Sequence, residues 1–169
     1  NTMNKILKSF LIIGLGLGIF TACDDDRDSN PTLISPTEFV LNTPAISGTV
    51  IDLANSSSIE ISCSQPDYGF PALASYQIQV SPTNRWTKDI QAGEKDATDQ
   101  AVGDYKTFDT EFSLVKGSVA ANEMAKALQE IVRYEPNNVP ASQDVYVRVR
   151  AAYAGDTIYS NAVQIKVLP

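Results

Sequence analysis

Few side chains in this 169-residue chain could do chemistry, and their types narrow the choice. There is no histidine, the commonest general base and metal ligand near neutral pH. The two cysteines are Cys23 and Cys63. Cys63 sits in Ile61-Ser62-Cys63-Ser64, with no cation or helix end beside it to lower its pKa, and reads as a small apolar core residue. Asp104, Asp109 and Glu111 could be imagined as an acid and base, yet no spacing marks a pair. Solvated loop charge is the expectation, and no catalytic residue is assigned. The run Asp24–Asp26 lacks the alternating ligands and glycine of a calcium loop, so no metal site is expected. A different chemistry, the stacking of a sugar ring on an aromatic face, would suit Trp86, which follows Asn84 and Arg85 just beyond a strand. Tyr105, Phe108 and Tyr153 are weaker candidates, and the plainer reading of all four is core or rim packing. Tyr68 and Tyr76 read as packing residues. With 20 Asp and Glu against 13 Lys and Arg, the chain carries a net charge of −7 and is a poor partner for nucleic acid.

The chemistry expected of Cys23 depends on what precedes it. From Met3 a short segment bearing Lys5 and Lys8 leads into an apolar stretch from Phe10 to Phe20, the order of an export signal. That stretch is half of the roughly 20 residues needed to cross a bilayer, and Gly14, Gly16 and Gly18 weaken it as a helix. It ends in Phe20-Thr21-Ala22-Cys23, which resembles the lipobox of bacterial lipoproteins. The resemblance implies cleavage of a leader spanning 3–22, with Cys23 becoming the lipid-bearing N-terminus. Each buried acyl methylene contributes about 0.8 kcal/mol, and two or more chains hold where one is marginal. No cofactor is expected beyond this covalent lipid. Behind Cys23, Asp24, Asp25, Asp26, Arg27 and Asp28 precede Ser29-Asn30-Pro31, too polar to bury surface, so 23–36 reads as a solvated tether. An acidic cluster at this place also resembles the signal that sends lipoproteins to the outer face of the outer membrane in Gram-negative glycan-harvesting bacteria. A lipid anchor in the outer membrane, facing the cell exterior, is therefore the expected location.

The remainder, 37–169, is long enough for one domain with a real core. Short alternating runs dominate it. Ile59, Ile61 and Cys63 form one, Tyr76, Ile78 and Val80 another, Val145, Val147, Val149 and Ala151 a third, and Val163, Ile165 and Val167 a fourth. The last two runs, separated by the turn-rich Ala154-Gly155-Asp156, are expected to pair antiparallel. Strands without long intervening helices suggest an all-β, immunoglobulin- or fibronectin III-like antiparallel sandwich. One short helix interrupts it before the penultimate strand. Met124, Leu128, Ile131 and Val132 fall at helical spacing, with Asn122 placed to cap the start and Glu135-Pro136 to end it. Thr87 to Tyr105, polar throughout, reads as a long exposed loop.

With these residues placed, the chain resembles the N-terminal domain of the SusE/SusF group, outer-membrane lipoproteins of starch-utilisation systems. The resemblance rests on the lipobox with Asp24–Asp26, on Ser35-Pro36, and on Pro66-Asp67-Tyr68-Gly69-Phe70-Pro71 leading into Tyr76-Gln77-Ile78-Gln79-Val80-Ser81. It continues through Met124–Leu128, Val147-Arg148-Val149-Arg150-Ala151 and Tyr159-Ser160-Asn161-Ala162-Val163. It implies an immunoglobulin-like domain at the cell surface beside a TonB-dependent transporter and its substrate-capturing lipoprotein. Glycan binding in that group belongs to modules that follow this domain, and the sequence ends at Leu168-Pro169, so no sugar-binding residue carries over. The expected role is that of a non-enzymatic spacer and docking domain. Two readings stand beside it: a carbohydrate-binding module that takes polysaccharide at Trp86, and an adhesion or assembly subunit.

Overall fold

A computed structural model describes residues 33–169 apart from 45, 46 and 114. The leader, Cys23 and the acidic run behind it lie outside the described residues. Ile34–Pro169 form one compact unit, and it is an all-β sandwich with one helix, as its alternation predicts.

Strand β6 (Gln143–Tyr153) organises the main sheet. Its Val145, Val147, Val149 and Ala151 are buried, while Tyr146, Arg148 and Arg150 point to the other face and are half-buried. On one edge β6 pairs antiparallel with β3 (Ser75–Ser81), Val149 opposite Ile78. Its other edge is shared by two strands. β8 (Val163–Leu168) takes the first half, Val147 opposite Val163, the expected antiparallel pair. β7 (Asp156–Tyr159) takes the second half, turning back through Ala154 and Gly155, both at positive φ (50° and 86°) as a two-residue hairpin turn requires. β7 replaces part of what the sequence presents as a mere connection, and so β6 becomes the third strand from the end. Where the partner changes, buried Ser160 keeps the ladder closed: its N–H donates to Val149 O and its Oγ accepts from Val149 N, at 2.9 and 2.8 Å. β1 (Val50–Asp52) runs parallel on the outside of β8, and β4 (Lys106–Thr107) lies on the outside of β3.

The second sheet pairs β2 (Ser58–Ser62) with β5 (Lys116–Ala120), Ile59 opposite Val119. β5 runs straight into helix α1 (Ala121–Val132). Because there is no loop between them, the N-cap is Ala120 in extended conformation, with no side-chain cap, rather than Asn122. The Ala121 N–H is instead satisfied by Ser57 O, and Asn122 Oδ1 accepts from Glu123 N at 2.9 Å. The helix stops at Val132, where Arg133 turns left-handed (φ 59°) and donates its N–H to Gln129 O. Met124, Ala127 and Leu128, all fully buried, press into the same core as the inner faces of both sheets.

The segment Thr87 to Tyr105 departs from the expected exposed loop. Its surface is polar, but Ile90 is 5 % exposed and begins a short 3-10 turn (Ile90–Ala92) whose first N–H donors are capped by Asp89. Among the described residues no helix is long and apolar enough to cross a membrane.

Candidate functional site

The outer face of the main sheet gathers the chemistry that the inner face excludes. Two cross-strand pairs set it up: Gln79 opposite Arg148 and Gln77 opposite Arg150, with Tyr159 of β7 opposite Arg150 on the other side. Side chains directly opposite in an antiparallel ladder are near neighbours on one face. Gln79 is 2 % exposed, so both ends of its amide need partners. Its Oε1 accepts from Arg148 Nε at 2.7 Å, and its Nε2 donates to Thr107 Oγ1 at 2.9 Å. Thr107 Oγ1 in turn donates to Asp89 Oδ2 at 2.6 Å. The second pair repeats the pattern more openly, with Arg150 Nη1 donating to Gln77 Oε1 at 2.8 Å and Gln77 Nε2 to Phe108 O at 3.3 Å.

Arg148 is held on its flat faces as well as at Nε. Its guanidinium carbon lies 4.3 Å from the centre of the Trp86 ring, 4.1 Å from that of Tyr159 and 5.6 Å from that of Tyr105. These are cation–π distances. Burial lowers the pKa of Arg148, against the pull of Tyr159 and Tyr105, and burial raises that of Tyr105. Trp86 reaches this place from the turn after β3. Ser81, fully buried, accepts the N–H groups of Thr83 and Arg85 at 3.3 and 3.2 Å and donates to Asp104 O at 2.8 Å. Asn84, at φ 57°, then accepts from the indole Nε1 of Trp86 at 3.0 Å.

The aromatics proposed from sequence separate accordingly. Trp86 and Tyr105 come together, their ring centres 5.7 Å apart and tilted by 57°. Phe108 is in the core, and Tyr153 packs elsewhere, 5.0 Å from Tyr68 and 6.0 Å from Phe70. Trp86 is half-buried, and Arg148 occupies a face of its ring. Tyr68 and Tyr76 are core residues, 1 % and 4 % exposed. Cys63 is buried too, its thiol pushed up to about 11 by desolvation, well outside the range of a nucleophile.

The imagined carboxylates are tied down individually. Asp104 accepts from the backbone of Thr87 and Lys88, at 3.1 and 2.9 Å, and from the Thr87 hydroxyl. Asp109 accepts from Gln91 Nε2 at 3.3 Å. Glu111 is exposed. Among the described residues no group of three or more Cys, Asp or Glu is placed to hold a metal ion. Sequence reasoning missed Arg148, Tyr159 and Gln79. The signal was present in two arginines at i and i+2 on the solvent side of a strand, matched by two glutamines at i and i+2 on another.

No solved structure matches the chain. The family described as SusE outer membrane protein matches it over residues 25–150, from the acidic run behind Cys23 into β6. That span covers most of the sequence and the sandwich up to β6, leaving β7 and β8 beyond it, so the chain belongs to the SusE outer membrane protein family and is a protein of the outer membrane.

Proposed function

We propose that the protein is a lipid-anchored, non-enzymatic accessory subunit of a glycan-uptake system on the cell surface, with the sandwich serving as spacer and docking domain. The observation that carries this reading is the occupied ring of Trp86: the single tryptophan packs on Arg148 instead of presenting an open platform for a neutral sugar. The hydrogen bonds that tie Asp104 to the backbone of its own loop speak for a structural carboxylate and against an acid or base. The lipobox ending at Cys23 and the acidic tether support anchoring and outward orientation. A transporter of the TonB-dependent kind and its substrate-capturing lipoprotein are the partners this role requires. Protease added to intact cells should digest the protein, and a pull-down from detergent-solubilised outer membrane should bring both partners. Protection from protease would remove the surface assignment, and a pull-down without either partner would remove the docking role.

One observation favours a second reading, a glycan-binding role for the domain itself. Trp86, Tyr105 and Tyr159 gather on one face of the sheet, with Tyr159 43 % exposed. Retardation in gels containing neutral polysaccharide, lost in Trp86→Ala, would establish it for uncharged glycans.

A further inference from the structure

Among the described residues no carboxylate pairs with Arg148 or Arg150. Among the described residues Lys88, Lys95, Lys106, Arg133 and Lys166 each meet a carboxylate, whereas Arg85, Lys116 and Lys126 do not. Among the described residues Arg148 and Arg150 meet none, although the chain carries more acids than bases. Each is hydrogen-bonded to a neutral amide, and the nearest carboxylate in the chain of bonds from Arg148 is Asp89, beyond Gln79 and Thr107. Held by Nε and by three rings, Arg148 has no acceptor for either Nη group among the described residues. The fork that remains has the shape that takes an oxyanion through two parallel N–H bonds. A guanidinium fixed in advance loses little freedom when it binds. Its environment strengthens such a bond, since the partly desolvated charge gains more from an anion than a fully hydrated one would.

We infer that Arg148 and Arg150 form a recognition site for an oxyanion carried on a sugar chain, a uronate carboxylate or a sulfate ester, with the Trp86 and Tyr159 rings flanking the sugar. Gln77, Gln79, Tyr146, Arg148, Arg150 and Gln164 surround the three rings with polar groups from β3 to β8, and rings rimmed by amides and guanidinium forks suit a sugar chain. An acidic protein segment is the occupant that the test sets against it. The most exposed apolar side chain, Leu73 at 86 %, lies outside these strands. The class of ligand rests on the glycan-uptake reading. Surface digestion and partner capture do not depend on the arginines, so either result can fail while the other stands.

The test uses membrane-extracted protein in detergent, and Trp86, the only tryptophan in the chain, reports from within the site. An oligogalacturonate, a chondroitin sulfate oligosaccharide, a maltooligosaccharide and an oligoglutamate of similar length are titrated at low salt, with calorimetry as a second readout. The expected result is saturable binding of one or both acidic oligosaccharides, reversed by salt, and none of the maltooligosaccharide. Which acidic arm responds tells a carboxylate from a sulfate. Arg148→Gln and Arg150→Gln should each weaken binding by roughly tenfold or more, the loss of one charge-assisted contact. Arg150→Gln leaves the contact between Trp86 and Arg148 in place, so it remains informative if Arg148→Gln fails to fold. Absence of binding by both acidic oligosaccharides, or unchanged binding in a folded arginine variant, overturns the inference. Oligoglutamate binding as tightly as the sugars also overturns it, because the face would then be a docking site for acidic protein.

Discussion

Among the described residues two buried side-chain polar atoms, the Tyr68 hydroxyl and Asp144 Oδ1, lack a hydrogen bond, and the first gives the clearest residue-level prediction. Tyr68 is buried against Tyr153, but its hydroxyl has no hydrogen-bond partner among the described residues. Desolvation and, after it, the charge of Asp156 raise its pKa. Removing a buried donor that lacks a partner relieves a desolvation penalty, so Tyr68→Phe should raise stability by up to about 1 kcal/mol. Thermal unfolding of the two proteins measures it, and a lower midpoint for the variant would mean that the hydroxyl is bonded after all. The same accounting separates what sequence discloses about the site from what it does not. Trp86 is conspicuous as a lone indole after a strand. Arg148 is not, because alternation within β6 says only that it faces away from the core. Its role depends on Gln79, 69 residues away in sequence, and on a strand, β7, that has no core-facing apolar stripe to announce it.

At the scale of elements, β2, β3, β6 and β8 are legible because each alternates against one core. β1 and β4 have three and two residues, too short for a period to register, and β5 contributes a single fully buried side chain, Val119. The segment Thr87 to Tyr105 is misread for a related reason: polar composition signals exposure but not order. Its order comes from Asp104 and from Asp96, which accepts from Thr98, Gln100 and Arg133, the last at 2.7 Å. Arg133 ends α1, so this ion pair fastens the loop to the helix. Gly103 lets the two strands of the loop approach. A Cβ there would lie 2.5 Å from Ile90 N and 2.7 Å from its Cα, a collision with backbone that no rotamer can relieve. Gly103→Ala should therefore cost about 1–3 kcal/mol and shift Trp86 emission, since Trp86 immediately precedes this segment and packs on its Tyr105. Gly48→Ala, where nothing lies within 4 Å, is the control and should leave both unchanged. The loop should also be acid-sensitive. Thr98 and then Arg133 hold the Asp96 pKa below its ordinary value, and for Asp104 the bonds from Thr87 and Lys88 outweigh the upward push of burial. Folded-state carboxylates of lowered pKa keep their charge while those of the unfolded chain take up protons. Their contribution is thus complete above about pH 4 and declines below it. The thermal midpoint should fall between pH 5 and pH 3, less steeply in Asp96→Asn, and an equal fall in both would deny Asp96 a share.

For the whole molecule the question is what closes the sandwich opposite the main sheet. The second sheet has only two strands, too few to cover the inner faces of β3, β6 and β8. Leu41 extends it by a bridge to Cys63, and Cys63 N continues the ladder to Val115 O. The remaining cover is supplied by α1, which buries Met124, Ala127 and Leu128 completely while its far side carries Glu123, Lys126 and Glu130. Glu130 reaches back to Lys106 of β4 at 2.9 Å, so the helix is joined to the edge of the main sheet as well as to β5. On this account α1 is a wall of the core, and its loss would open the domain rather than trim it. Leu128→Ala should then destabilise the entire unit by about 2–5 kcal/mol, the range for truncating a buried leucine. Val132→Ala, on the same helix but 38 % exposed, should cost no more than about 0.5 kcal/mol. Urea unfolding followed both by helical circular dichroism and by Trp86 emission distinguishes the two arrangements. If α1 is a wall, the two signals lose stability together in Leu128→Ala. If it is an appendage, the helical signal melts first and the tryptophan, across the main sheet, keeps the wild-type midpoint.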